Sequence, residues 1–180
     1  FRKVEKAIEA IERSSDVSST IAEAASAVIE NFREELGGTG GRLYESRDGG
    51  YELTRTFGGA REIPPGLVIP LDYPPVQSVL DSGIVVMDQS APGVNPEFES
   101  WLGVDRFAAI AVGNDQYILS FTVDPGAPAE DLMASLSILR HAVDQKLRSD
   151  RLVSVLNEAR QIQMSILPKR ALRRGEFDIA

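Results

Sequence analysis

The sequence has no cysteine among its 180 residues, and it has only one histidine and one tryptophan. Without cysteine the chain has no disulfide, no thiolate metal ligand, no cysteine nucleophile and no thioether-linked chromophore. Basic residues are also few, 19 against 27 acidic ones, which gives a formal net charge of −8. This balance argues against a protein that follows nucleic-acid phosphates or lies on an anionic membrane surface.

Long hydrophobic runs are absent as well. No apolar stretch approaches the roughly 20 residues that a membrane-spanning helix requires. The overall composition, 43% hydrophobic and 26% charged, is ordinary for a soluble globular domain. We therefore expect a cytoplasmic protein with neither a nucleic-acid nor a membrane partner.

Helical periodicity marks the beginning of the chain. Residues 1–15 carry a narrow apolar stripe that includes Ile8 and Ile11, and such a stripe is typical of coiled coils. A second helix is predicted after residue 16, because apolar residues recur there at three- and four-residue steps. Gly37 ends that pattern, as glycine commonly does past a helix C-terminus.

Strand patterns then take over. "GRLYES" and "YELTRTF" flank an Asp-Gly turn and predict an antiparallel hairpin with Tyr51, Leu53 and Phe57 on one face. "LVIPL" and "IVVMD" predict two further strands, the first at a sheet edge because of its proline. "RFAAIAV" and "YILSFTV" predict the central hairpin, and short helices are expected at "PPVQSVLDSG" and "PEFESWL".

A long final helix completes the pattern. It opens at "DPGAPAEDL", and no helix breaker follows until Pro168. Helices and strands are therefore segregated along the chain and do not alternate as βαβ units. This order predicts an α+β fold with a largely antiparallel sheet.

The order of elements, together with "IPLDYPPVQSVLDSGIVVMD" and the hairpin after it, resembles a GAF domain, a small-molecule-sensing relative of the PAS fold. The resemblance covers residues 16–147 and implies a pocket between the sheet and the segment from Asp72 to Trp101. An aromatic wall and one arginine there could hold a small planar or anionic ligand, or could fill the cavity themselves. The candidate lining residues are Tyr73, Gln77, Met87, Phe98, Trp101, Arg106 and Ser120.

The tail carries a second resemblance. "LNEARQIQMSILPKRALRRGEFDIA" is similar to the connector that opens SpoIIE-type bacterial serine/threonine phosphatases, a metal-dependent class of hydrolases. The matching residues are Ala159, Arg160, Ile162, Gln163, Ser165, Leu167 and Pro168. The resemblance implies that the catalytic domain, with its two Mn or Mg ions and its phosphoprotein substrate, lies beyond Ala180. This chain would then contain no catalytic residue, metal site or cofactor of its own.

Together the two resemblances imply four parts. These are an N-terminal dimerisation helix (1–15), a GAF domain (16–147), a coiled-coil connector helix (148–168) and the start of a phosphatase domain (169–180). We expect a bacterial, homodimeric signal-transduction protein whose phosphatase acts in an anti-sigma-factor-antagonist pathway. The residues assigned to the dimer and signalling helices are Ile8, Ile11, Leu152, Val155, Ala159, Ile162 and Ile166.

The apolar pattern of the final helix changes phase along its length. If the three- and four-residue spacing of the apolar stripe through Leu139 and Val143 were kept, the next positions in the stripe would be Lys146, Asp150 and Val153. The second apolar stripe instead begins at Leu152, so its phase differs from that of the first stripe by about two residues. We expect this slip, around residues 146–151, to be the point at which a signal changes the packing of the helix.

Two features leave an alternative function open. "NPEF", with Asn95 and Phe98, resembles part of the pattern of cyclic-nucleotide-binding GAF domains, but Pro96 and Leu102 depart from it. His141 could ligate haem, although a histidine exposed on a helix is the favoured interpretation. The alternative is therefore a ligand-binding GAF domain of a kinase or cyclase, for cyclic nucleotides or another small molecule.

Overall fold

A computed structural model describes residues 21–26, residue 30 and residues 40–166. The predicted N-terminal stripe with Ile8 and Ile11 lies outside the described residues. So do the Leu167-Pro168 junction and the predicted start of the phosphatase domain.

Six strands form one sheet in which every neighbouring pair is antiparallel. Their spatial order is β3-β2-β1-β6-β5-β4, so the predicted central hairpin, β5–β6, lies in the interior of the sheet. The α+β prediction is confirmed. The strands are β1 Gly40–Arg47, β2 Gly50–Gly58, β3 Val68–Pro70, β4 Ile84–Asp88, β5 Arg106–Val112 and β6 Tyr117–Thr122.

Helices cover both faces of this sheet. Residues 21–26 are helical, and three longer helices follow: α1 Pro74–Ser82, α2 Pro96–Leu102 and α3 Ala129–Ile166. Helix α3 and residues 21–26 pack on one face and build the first hydrophobic core. Helices α1 and α2 supply buried residues to a second core on the opposite face. None of the described helices has both the length and the apolar composition needed to cross a membrane.

Strand β2 contains an extra residue, Thr54. Leu53 and Arg55 pair with successive residues of β1, so Thr54 has no partner there and forms a β-bulge. Tyr51 and Leu53 therefore pack in the second core, whereas Phe57 packs against the first. The prediction that these three residues share one face is wrong, because a bulge reverses the alternation of the strand beyond it.

Glycine and asparagine define the ends of the two short helices. Gly83 (φ 80°) directly follows α1 and Gly103 (φ 77°) directly follows α2, and the left-handed backbone at both positions favours glycine. The Asn95 side chain accepts hydrogen bonds from the backbone N–H groups of Glu97 and Phe98 and so caps α2. Both short helices are found where the sequence predicts them.

Helix α3 is 38 residues long and has two distinct halves. Its first half packs on the sheet through buried residues that end at Leu147. From residue 151 to residue 166 every side chain is exposed. The apolar ones there include Leu152, Val155, Ile162 and Ile166, which are 55–74% exposed.

Candidate ligand site

A cavity of about 50 Å³ lies between the sheet and helices α1 and α2. It belongs to a wider concavity of about 510 Å³ that includes space open to solvent. The inner cavity is small beside the roughly 300–1,000 Å³ of typical ligand pockets. Since one buried water needs about 10–15 Å³, the inner cavity suits a group of only a few non-hydrogen atoms.

Two neighbouring strands place polar side chains in this cavity. Arg42 and Tyr44 are two residues apart on β1, so they point to the same face of the sheet. Ser120 lies directly opposite Arg42 on β6, and all three line the cavity. The pleat of the sheet therefore brings an arginine, a tyrosine and a serine to one apolar-walled site.

The Arg42 side chain is only 3% exposed. Its Nη2 donates to the carbonyl oxygen of Leu102 at 2.6 Å, and Arg61 donates to that of Trp101 at 2.7 Å. Both carbonyls belong to the C-terminal end of α2, where a positive charge is favourable. Burial lowers the pKa of the Arg42 guanidinium. Its Nε is buried and has no hydrogen-bond partner among the described residues.

Helix α2 contributes a buried carboxylate, Glu99, which is 5% exposed. Its Oε1 accepts a hydrogen bond of 2.8 Å from the Tyr73 hydroxyl, which itself accepts one of 3.2 Å from the Asn95 N–H. Burial raises the pKa of Glu99, and it raises the pKa of Tyr73 to about 12. Burial also raises the pKa of Tyr44. Burial thus shifts the pKa of each of these four side chains, Arg42, Tyr44, Tyr73 and Glu99.

Arg42 and Glu99 attract each other electrostatically. Among the described residues, however, no hydrogen bond or close ion pair joins them. Both line the same cavity. The site therefore presents a positive and a negative group that are close but not in contact, and buried charges without a close partner are costly.

The structure brings only part of the predicted lining together. Tyr73 and Ser120 line the cavity, whereas Gln77 is exposed on α1 and Met87 packs at the margin of the second core. Phe98 packs edge-on against Tyr73 at 5.8 Å between ring centroids. It therefore supports the cavity wall from behind and does not line it.

Two predicted lining residues lie elsewhere. Trp101 stacks on Phe98 at 6.1 Å but remains 46% exposed. The Nη1 of Arg106 donates to the backbone carbonyls of Asp124 at 2.8 Å and Ala127 at 2.6 Å. Arg106 thus holds the turn that precedes α3, and the arginine of the cavity is Arg42.

The other two candidate features do not line the cavity. His141 is exposed on α3, and no group of three or more metal-ligating side chains occurs among the residues that the structure describes. The Asn95 side chain is engaged as the N-cap of α2.

No protein-family model matches the chain, and no curated protein sequence matches it either. Several solved structures, however, match the fold of this chain. A phycocyanobilin-bound GAF domain from a cyanobacterial phytochrome superposes with a TM-score of 0.62 at 14% identity, over 84% of this chain and 94% of that one. The chain has a GAF fold.

Other solved proteins share this GAF fold. Residues 122 to 287 of a methyl-accepting chemotaxis protein match with a TM-score of 0.58 at 16% identity, over 84% of this chain and 99% of that one. A bacteriophytochrome from the photosynthetic bacterium R. palustris matches with a TM-score of 0.64 at 13% identity, over 91% of this chain. The chain spans only 40% of that bacteriophytochrome. At these identities the likeness establishes the GAF fold alone.

Proposed function

We propose that this chain is a homodimeric regulatory sensor that passes its signal through α3 to an attached serine/threonine phosphatase of the metal-dependent SpoIIE type. The observation that carries the proposal is the exposed C-terminal half of α3. The apolar residues Leu152, Val155, Ala159, Ile162 and Ile166, called here the C-terminal stripe, contact nothing in the described part of one chain that would bury them. A parallel partner helix would bury them as coiled coils do.

The two halves of α3 present different faces. At about 100° per residue, the centre of the C-terminal stripe lies about 140° around the helix from the face that packs on the sheet. The change falls near Lys146 and Asp150, which form an ion pair of 3.1 Å between partly buried side chains. A helix with one partner on each of two faces is well placed to rotate or shift between two packings.

The sheet links the cavity to α3. Arg140 of α3 donates to the carbonyl oxygen of Ala111 at 2.7 Å, and Asp144 accepts a hydrogen bond from the Gly113 N–H at 2.7 Å. Ala111 and Gly113 belong to β5 and the turn after it, and Ala109 of the same strand lines the cavity. A ligand that displaces β5 would therefore act directly on the point where α3 leaves the sheet.

The phosphatase assignment is supported by the resemblance of residues 159–168 to the connector of that family. It implies a phosphoprotein substrate in an anti-sigma-factor-antagonist pathway, a bacterial cytoplasm, and two Mn or Mg ions held by the catalytic domain. In this proposal the GAF domain itself has no catalytic role.

Changing the phase of α3 tests the proposal. In the protein that carries the phosphatase domain, one residue would be inserted between Leu147 and Leu152, which rotates the following helix by about 100°. Phosphatase activity or its regulation should change. A seven-residue insertion at the same point is the matched control, because it nearly restores the phase. Equal activity and regulation in all three proteins would show that α3 is a passive tether.

A further inference from the structure

The cavity contains one basic and one acidic side chain, each almost completely buried. Arg42 is 3% exposed and Glu99 is 5% exposed, and no direct ion pair joins them among the described residues. Arg42 also retains a buried Nε without a hydrogen-bond partner. A ligand that accepts from Arg42 and donates to Glu99 would satisfy both groups in one step.

The balance of these charges restricts the class of ligand. Arg42 would attract a simple anion, but a Glu99 carboxylate would repel it. A simple cation would be attracted by a Glu99 carboxylate and repelled by Arg42. A small molecule that carries an anionic and a cationic group joined through one carbon can place each group against the side chain of opposite sign. The site therefore favours a zwitterion over either single ion.

Size restricts the class further. A cavity of about 50 Å³ has room for about three to five groups of the size of water. The head group of an α-amino acid, with its carboxylate, its ammonium and the carbon between them, has this size. Its side chain would lie against the apolar part of the lining, which includes Ile69, Val76 and Val79.

We propose that the cavity binds a small α-amino acid, with its carboxylate against Arg42 and its ammonium against Glu99. This inference rests on the proposed sensor function and names the ligand class of its site. Tyr73 is a positioning residue here, since its hydroxyl holds one Glu99 oxygen at 2.8 Å and leaves the carboxylate fixed on α2.

The first experiment compares L-alanine with its two halves. Binding of L-alanine, propionate and ethylamine to the full chain would be measured by titration of backbone amide NMR signals. Propionate lacks the ammonium and ethylamine lacks the carboxylate, while the aliphatic part is retained. L-alanine should bind at least about tenfold more tightly than either, since each half leaves one buried charge without its partner.

The second experiment changes the charge preference. In Glu99→Gln the amide oxygen still accepts from Tyr73, so the fold should be preserved, and the amide spectrum verifies this. The variant should bind L-alanine at least about tenfold more weakly and propionate more tightly than the wild type does. Glu97→Gln, on the exposed side of the same helix, is the control and should leave both affinities unchanged.

Three results would overturn the inference: no binding of L-alanine, equal binding of L-alanine and propionate, or an unchanged preference in Glu99→Gln. Such results would leave the proposed function intact if the one-residue insertion in α3 still altered phosphatase output. Binding of L-alanine together with an inert insertion would instead separate ligand recognition from signalling.

Discussion

Serine substitutions on two faces of α3 should distinguish a dimer interface from a solvated tail. The test variant is Val155→Ser with Ile162→Ser, both in the C-terminal stripe. The control is Val153→Ser with Met164→Ser, which lie about 150° from the centre of that stripe. The four side chains are similarly exposed, at 55, 61, 53 and 63% respectively. We expect only the test variant to dissociate the homodimer.

The expected loss follows from the exposed fractions. Complete burial of a valine or isoleucine side chain stabilises a protein by about 1.5–3 kcal/mol. Because Val155 and Ile162 are 55 and 61% exposed in one chain, a partner helix could add roughly half of that, about 1–1.5 kcal/mol for each side chain. Four side chains per dimer then contribute about 4–6 kcal/mol, which corresponds to about three to four orders of magnitude in Kd.

Size-exclusion chromatography with light scattering, at micromolar concentration, measures this effect. The wild type and the control variant should elute with the mass of a dimer, and the test variant with the mass of a monomer. Serine and valine have similar helix propensities, so circular dichroism should show little loss of helix in either variant. A monomeric wild type, or equal dissociation of the two variants, would refute the assignment of the C-terminal stripe.

Two further predictions concern the cavity side of the domain. Neither cAMP nor cGMP should bind tightly, because the Asn95 side chain is engaged as a helix cap; a thermal shift of several degrees at modest nucleotide concentration would contradict this. Burial raises the pKa of Glu99 above its ordinary 4.5, so the folded state holds this proton more tightly, and stability should fall as pH rises from 4.5 through the folded pKa. Urea denaturation across this range should show a weaker fall in Glu99→Gln than in Glu97→Gln, and parallel profiles would argue against this.

The sequence predicts the order of elements well because each is marked locally. The Asp-Gly turn, Gly83 after α1 and the acidic first turn of α3 all act within a few residues of their own positions. The bulge at Thr54 has no such signal. It depends on how β2 pairs with β1, so the face on which Phe57 packs could not be read from alternation alone.

The site was harder to predict than the fold. Arg42 and Tyr44 are two residues apart on one strand, so they share a face of the sheet, and this spacing could have indicated that both line the cavity. The sequence gives less indication that Glu99 lines the cavity, since a glutamate on a short helix is ordinarily exposed. Its hydrogen-bond partner, Tyr73, is 26 residues away in sequence. Arg106 was expected to be the arginine of the pocket, but it donates to carbonyls of the turn before α3, a contact that has no sequence signature.

Residues 1–180 contain no cysteine, so a cysteine introduced into α3 would be the only one in this part of the protein that carries the phosphatase domain, and it tests the central claim directly. In a parallel dimer, Val155→Cys should face its own copy within disulfide distance, whereas Val153→Cys should not. Phosphatase activity would be measured after oxidation and again after reduction. We predict that the Val155→Cys cross-link changes activity by about fivefold or more, reversibly, while Val153→Cys does not respond. A complete cross-link at Val155→Cys with unchanged activity would contradict the role of α3 as the signalling element.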